Sequence, residues 1–459
     1  MRSLMSRAAR ATYALLVLAG PLVVVAPLGA QDIPPEEYAA RRGRVLEDLS
    51  DGILLLHSRS APKEMEQWGF IQDPSFLYFT GLAEVPGAIL ALDGLRHEAR
   101  LFVPPAPGSF GVTVEGLIPA PGPASARRLG LDAVEPWAGF IDWVRTRQRE
   151  GVSKLYVDEP RRPEATGAPP GLAPVSGPLG LWRGALEGRF PEMQFASAKP
   201  AIQALRWVKS PAEAAVLGQN ARSTAVALLA VAAQLRPGLS QREVEATVVS
   251  TCIESGAQGP SFWPWIMSGP NTHMDRLVSA FFRYEQLDRE MEDGELVRVD
   301  LGCAGGLYGG DVGRTLPVSG HFSPGQREAW DLLIGAYRAG MEVMSAGVPL
   351  GDVREASRAA VEAAQGRLTT AIGRKAAAYI LAQGDAVWHI HGVGIESGED
   401  AGPVLEAGSV LAFEPMVVAG TDVFYLEDMI LITPTGRRVL SEGLPYTADE
   451  IEAAMAASR

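Results

Sequence analysis

Cysteine is scarce in this sequence: 459 residues contain only Cys252 and Cys303. Two thiols cannot form the cross-linked framework that holds small exported domains together, so stability must come from burial. Both lie in apolar segments and are read as two separate buried thiols, although an exported chain would permit a bridge. Basic residues are also short, 41 Lys and Arg against 54 Asp and Glu, for a formal charge of −13. This excludes the basic surface that nucleic acid requires. Charged residues make up only 21% and hydrophobic residues 47%, which excludes a disordered chain. No repeat of fixed period is present. Beyond the N-terminus, no stretch is long and apolar enough to span a membrane.

What is present begins with an export signal. Arg2, Arg7 and Arg10 make a positive start, residues 13–28 are apolar, and Leu28-Gly29-Ala30 offers a small-residue cleavage site. The apolar run is short for a span and is broken by Pro21 and Pro27, so a removed leader over 1–30 is expected rather than an anchor. Loss of its three Arg would take the net charge from −13 to −16. The mature chain is then periplasmic or secreted, with no membrane association. At this length two domains are expected.

Residues 31–200 read as a smaller α/β domain. A helix is expected over 36–49 and strands over 52–56, 88–92, 101–103 and 154–157, with Pro/Gly-rich loops over 104–123 and 160–180. The second domain, 201–459, has stronger punctuation. Ser210/Glu213, Ser240/Glu243, Ser323/Gln326 and Thr447/Glu450 are capping boxes, and each precedes an apolar-periodic run. They predict helices over 211–235, 240–255 and 323–345 and a short one from 447. Strands are expected over 296–302, 310–318, 410–414 and 423–432. Along 296–302, Val297, Val299 and Leu301 fall on one face and Arg298 and Asp300 on the other.

Four carboxylates interrupt these apolar strands: Asp300, Asp311, Glu414 and Glu427. A buried unpaired carboxylate costs several kcal/mol or takes up a proton. Four of them, with His391 in a Gly-rich turn, point to bound cations. Oxygen ligands with a single imidazole suit Mn²⁺ best and are compatible with Zn²⁺, Co²⁺ or Fe²⁺.

The motifs carrying these residues resemble those of the pita-bread metallopeptidases. Val297-Arg298-Val299-Asp300-Leu301-Gly302 and Gly310-Asp311-Val312-Gly313-Arg314-Thr315 are similar to the family's paired-Asp strands, with the two Asp eleven positions apart. His391-Gly392-Val393-Gly394, Phe413-Glu414-Pro415 and Leu426-Glu427-Asp428 follow in the family's order. Leu205-Arg206-Trp207-Val208-Lys209-Ser210-Pro211 and Asp73-Pro74-Ser75-Phe76-Leu77-Tyr78-Phe79 resemble the Xaa-Pro aminopeptidase, prolidase and creatinase branch. The resemblance implies an α+β fold: a pita-bread domain, an antiparallel sheet with flanking helices, behind a creatinase-like N-terminal domain. It implies two divalent ions. Asp311 and Glu427 would bridge them, Asp300 would bind one, and His391 and Glu414 the other. Glu414 would also carry a proton during metal-assisted hydrolysis of a peptide. A homodimer or homotetramer is implied as well.

Around this cage the sequence departs from the family pattern. Gly398 stands where relatives place a histidine seven positions after the ligand His. Arg276 stands five after Asn271, with His273 displaced. Tyr425 stands where relatives have an arginine, and Met416 follows Pro415 in place of Gly. His273, His389 and Arg276 are the candidates to replace the missing histidines, with a plain loop position the alternative for His273 and a structural, hydrogen-bonded role the alternative for His389. His389 lies two before His391, so on a strand both would point the same way. His57, His97 and His321 read as structural, and Arg314 as an ion-pair partner. Phe262, Trp263 and Trp265 read as core or pocket lining. Three functions stay open: an exported aminopeptidase or dipeptidase that clips short peptides, with bonds before proline among its candidate targets, a hydrolase of another C–N bond, or a metal-binding module without turnover.

Overall fold

The computed structural model describes residues 33–60, 71–106, 108–109, 112–159 and 177–457. The expected leader over 1–30 lies outside the described residues, as does most of the expected loop over 160–180.

Helix Pro35–Asp48 opens the N-terminal part. Behind it lies a six-stranded sheet in the order Ala133–Pro136, Glu98–Val103, Ile89–Asp93, Ile53–His57, Lys154–Val157, Gln194–Ser197. The central pairings are antiparallel, and the outer strands join in parallel. Strand Ile53–His57 explains why the sheet is covered on both sides. Leu54 and Leu56 enter one apolar cluster, while Ile53 and Leu55 enter another on the opposite face. The edge strands Ala133–Pro136 and Gln194–Ser197 were not anticipated. Each has only 4 residues, too few for an alternation signal.

The C-terminal part is built on a seven-stranded antiparallel sheet. Its order is Trp265–Ser268, Leu296–Leu301, Val312–Pro317, Asp422–Thr433, Val410–Ala419, Trp388–Gly392, with Gly436–Val439 also on Asp422–Thr433. Helices Pro211–Gln234, Gln241–Glu254, Pro324–Val343 and Ala448–Ala456 each begin at the capping box read from sequence, with both reciprocal hydrogen bonds formed. Helices Leu350–Ala364 and Ala371–Gln383 escaped notice. They start at Pro349 and Thr370 with no Glu or Gln reaching back. Together the mixed sheet, the antiparallel sheet and the flanking helices make an α+β fold.

Strand Leu296–Leu301 is buried along its whole length, on the face of Arg298 and Asp300 as well as on the apolar one. Arg298 and Asp300 can be buried because they neutralise each other, Nη2 to Oδ2, at 2.6 Å. The cysteines are not separate thiols: Cys252 and Cys303 form a disulfide with a Cα–Cα distance of 5.4 Å. The chain leaving helix Gln241–Glu254 returns as a short strand in which Pro260 pairs with Cys303. That return brings two residues 51 apart in sequence into contact.

Candidate metal centre

Register places the chemistry. Residues paired directly across an antiparallel ladder share a face, and neighbouring strands lie about 4.8 Å apart. Trp265 pairs with Asp300, Asp300 with Gly313, and Gly313 with Glu427. The register between the last two long strands is the same on both sides of Pro415, so Glu427 faces Glu414, which pairs with His389. One row across the sheet therefore carries Trp265, Asp300, Gly313, Glu427, Glu414 and His389. On one side of it lies His391, in line with Ala412 and Met429. The Asp311 amide donates to Met429 Sδ at 3.3 Å, which sets Asp311 in that same line. The five candidate ligands thus come from adjoining rows of one face, although 127 positions separate the first from the last in sequence.

The side chains converge on His391. Its Nδ1 donates to the Gly392 carbonyl at 2.9 Å, which fixes the tautomer and leaves Nε2 facing the carboxylates. That Nε2 lies 3.1 Å from Glu414 Oε1, 3.6 Å from Glu427 Oε1 and 3.7 Å from Asp311 Oδ2. Burial pushes the Asp311 carboxyl well up, and the adjacent Glu427 charge adds to it. Burial, then the Glu414 charge, raises Glu427 to about 7. Burial also raises Asp300, against the pull of Arg298. Glu414 goes the other way. Burial would raise it, but hydrogen bonds from His389 and His391 hold it well below the ordinary range. For His391, burial favours the neutral ring, yet Glu414, Glu427 and Asp311 together raise it far above its usual value.

A metal fits these residues. Three oxygens surround one correctly oriented imidazole nitrogen, and the buried Glu427 Oε1 has no hydrogen-bond partner among the described residues. His389, His391 and Glu414 form one ligand-spaced group, and Asp311, His391 and Glu427 another. The carboxylates that share this space repel one another, and divalent ions would balance their charge.

The remaining predicted residues separate clearly. His389 reaches the site: its Nδ1 hydrogen-bonds Glu414 Oε1, and its ring lies 5.4 Å from that of His391. His273 stands apart from the cluster. Its Nε2 meets the Thr421 carbonyl at 3.2 Å, at the tip of the hairpin and about 20 Å along the strand from Glu414. The cause is local. Asn271 is anchored to Gln241 and to the Leu287 carbonyl, and His273 caps a helix, Met274–Arg283, where a loop was expected. Arg314 is fully buried against Asp428 at 2.9 Å, as an ion-pair partner. Trp265, in the ligand row, meets Phe281 and Tyr284 edge-on at 5.1 and 5.9 Å and gives that end of the face an aromatic wall. His57 meets Trp182 at a tilt, beside a cavity of about 860 Å³ that residues of both parts line, Asp73 and Asp158 from one and Glu396 and Glu399 from the other, and that none of the five candidate ligands lines. Sequence reasoning passed over the contact of Arg298 with Tyr425, guanidinium against ring at 4.1 Å. Each sits two residues before a ligand, on the ligand face, and that spacing was the available signal.

The model for metallopeptidase family M24 matches residues 216–434, and that for the aminopeptidase P N-terminal domain matches 38–140. The chain belongs to the M24 metallopeptidase family. It is a metal-dependent peptidase by that membership. The Xaa-Pro aminopeptidases of Escherichia coli K12 and Haemophilus influenzae are 27% and 26% identical to this M24 chain. Those alignments cover 93% and 92% of the chain and 99% and 97% of the relatives. Among solved structures, aminopeptidase P from Escherichia coli with the inhibitor Pro-Leu superposes with a TM-score of 0.72 at 24% identity. It covers 93% of this chain and 99% of the other. Proline aminopeptidase P II from Yersinia pestis gives 0.72 at 22% identity, over 93% and 100%. These likenesses carry the fold, and with it the pita-bread architecture.

Proposed function

We propose that this M24 peptidase is an exported aminopeptidase that uses two divalent ions, Mn²⁺ foremost, to release N-terminal residues from peptides, including bonds before proline. The observation that carries the reading is the convergence of Asp300, Asp311, His391, Glu414 and Glu427 on one face of the antiparallel sheet. The relatives named above are Xaa-Pro aminopeptidases, and the Escherichia coli structure has Pro-Leu as its inhibitor. That supports the substrate class. Export is supported by the leader pattern at 1–30 and by a disulfide, which is at home in an oxidising compartment.

Ions held by these five residues would supply Lewis acidity toward a peptide carbonyl and toward water. The chain's own contribution centres on Glu414. It is largely buried, and its Oε1 is shared by His389 Nδ1 and His391 Nε2. The His389 ring is 55% exposed. A proton held on Glu414 Oε1 therefore has a hydrogen-bonded route to solvent through His389. Trp265 and the exposed Phe281 border one end of the ligand row and offer apolar surface to a substrate side chain.

Digestion of a peptide set with added Mn²⁺ tests the reading. The parent should release N-terminal residues, and Glu414→Gln should lose at least about 100-fold in rate. Attack on other C–N bonds alone, or tight metal uptake without any cleavage, would replace the reading with one of its two rivals.

A further inference from the structure

We propose that Arg298 and Tyr425 are a positioning pair for the metal centre: the tyrosine hydroxyl spans the two glutamates, and the guanidinium holds the ring and Asp300 in place. This rests on reading the five-residue cluster as a metal site. Next to the ligand row, on the side away from His391, lies a row in which Met267 pairs with Arg298, Arg298 with Thr315, and Tyr425 with Met416. The Tyr425 amide donates to Thr315 Oγ1 at 2.7 Å, which closes the row. Arg298 and Tyr425 therefore stand on the same face, one strand apart on either side of Thr315.

From there Tyr425 leans over the ligand row at its one residue without a side chain. A Cβ on Gly313 would lie 2.1 Å from Tyr425 Cε1, so glycine at this position is what admits the ring. Its hydroxyl reaches Glu427 Oε2 at 2.7 Å and Glu414 Oε2 at 2.9 Å. With one oxygen of each glutamate engaged, the other oxygen of each faces His391 Nε2. Arg298 completes the stack. Its guanidinium lies 4.1 Å from the Tyr425 ring centroid, its Nη2 holds Asp300 Oδ2 at 2.6 Å, and its Nη1 meets Met416 Sδ at 3.7 Å. Two buried side chains thus orient three of the five ligands, from three different strands. The phenol and the guanidinium belong to the same face, and the strand of Gly313 lies between theirs, so exchanging the two residues keeps a phenol and a guanidinium on either side of that strand.

Calorimetric titration of the full chain with MnCl₂ tests this, with thermal melts run alongside. Tyr425→Phe keeps the ring and loses the span. It should weaken Mn²⁺ affinity about 10- to 100-fold without lowering the melting temperature. Arg298→Tyr and Tyr425→Arg should each bind more weakly still, and the exchanged double variant should recover at least tenfold over the worse single. Unchanged affinity in Tyr425→Phe would overturn the proposal, as would losses that simply add in a folded double variant. If the double variant does not fold, Tyr425→Phe decides alone. A parent that takes up no Mn²⁺ would remove the metal-site reading itself, whereas a parent that binds and a Tyr425→Phe that binds equally would remove only this pair.

Discussion

Glu399 sits between two cations where the two parts of the chain meet. Its Oε1 pairs with Arg206 Nη2 at 2.6 Å and its Oε2 with Lys209 Nζ at 2.9 Å, all three well buried. Burial alone would raise this carboxyl, but Arg206 and Lys209 overcome it and lower the group from 4.5 to about 2. The sign follows from the depressed value. The ionised form belongs to the fold, so its stabilisation is complete above 4.5 and is lost as pH falls from there through about 2. Glu399→Gln should cost about 3 kcal/mol or more near neutral pH, because it strands buried positive charge. The loss should shrink across that acid window, and melting temperatures of parent and variant against pH will measure it. An equal gap at every pH would show that the carboxylate charge is not what matters. Glu399 also marks a limit of the sequence. The four candidate carboxylates were conspicuous one by one, each lying inside a run of Val, Leu, Phe or Met. Glu399, in a Gly- and acid-rich turn, had no such contrast.

At the scale of elements, the capping boxes placed four helices within two residues, because a box is a local device with two local hydrogen bonds. Strand Lys154–Val157 was also legible, as a short apolar run between Gly151 and Asp158. Helix Met274–Arg283 was missed. Met274, Leu277, Val278, Phe281 and Phe282 do recur at helical spacing, and this signal was passed over; the stripe is largely exposed in the fold. The disulfide was misread because only tertiary pairing of Pro260 with Cys303 brings the thiols together. It ties helix Gln241–Glu254 to the residues just after the Asp300 strand, across a separation of 51. Reduction should therefore destabilise the protein by about 2–5 kcal/mol. Cys252→Ser should melt at the temperature of the reduced parent and be insensitive to reductant. A parent melt that reductant leaves unchanged, with two thiols titrated as free, would contradict this.

For the whole molecule, the two sheets divide the labour. The mixed N-terminal sheet is buried on both faces by apolar clusters and carries none of the five ligands. The antiparallel sheet keeps one face for chemistry, where cross-strand register rather than sequence proximity assembles the centre. Order and spacing of motifs made this class of fold readable in advance. The rows themselves were not readable, since the pairing of Glu427 with Gly313 depends on strand order that sequence does not state. Everything functional depends on the acidic face being balanced by cations. The most direct measurement is the metal content of the purified full chain after saturation with Mn²⁺ and removal of free ion. Two ions per chain, falling sharply in Asp311→Asn, is the predicted result. A chain that holds none, while folded by its melting curve, would contradict the account.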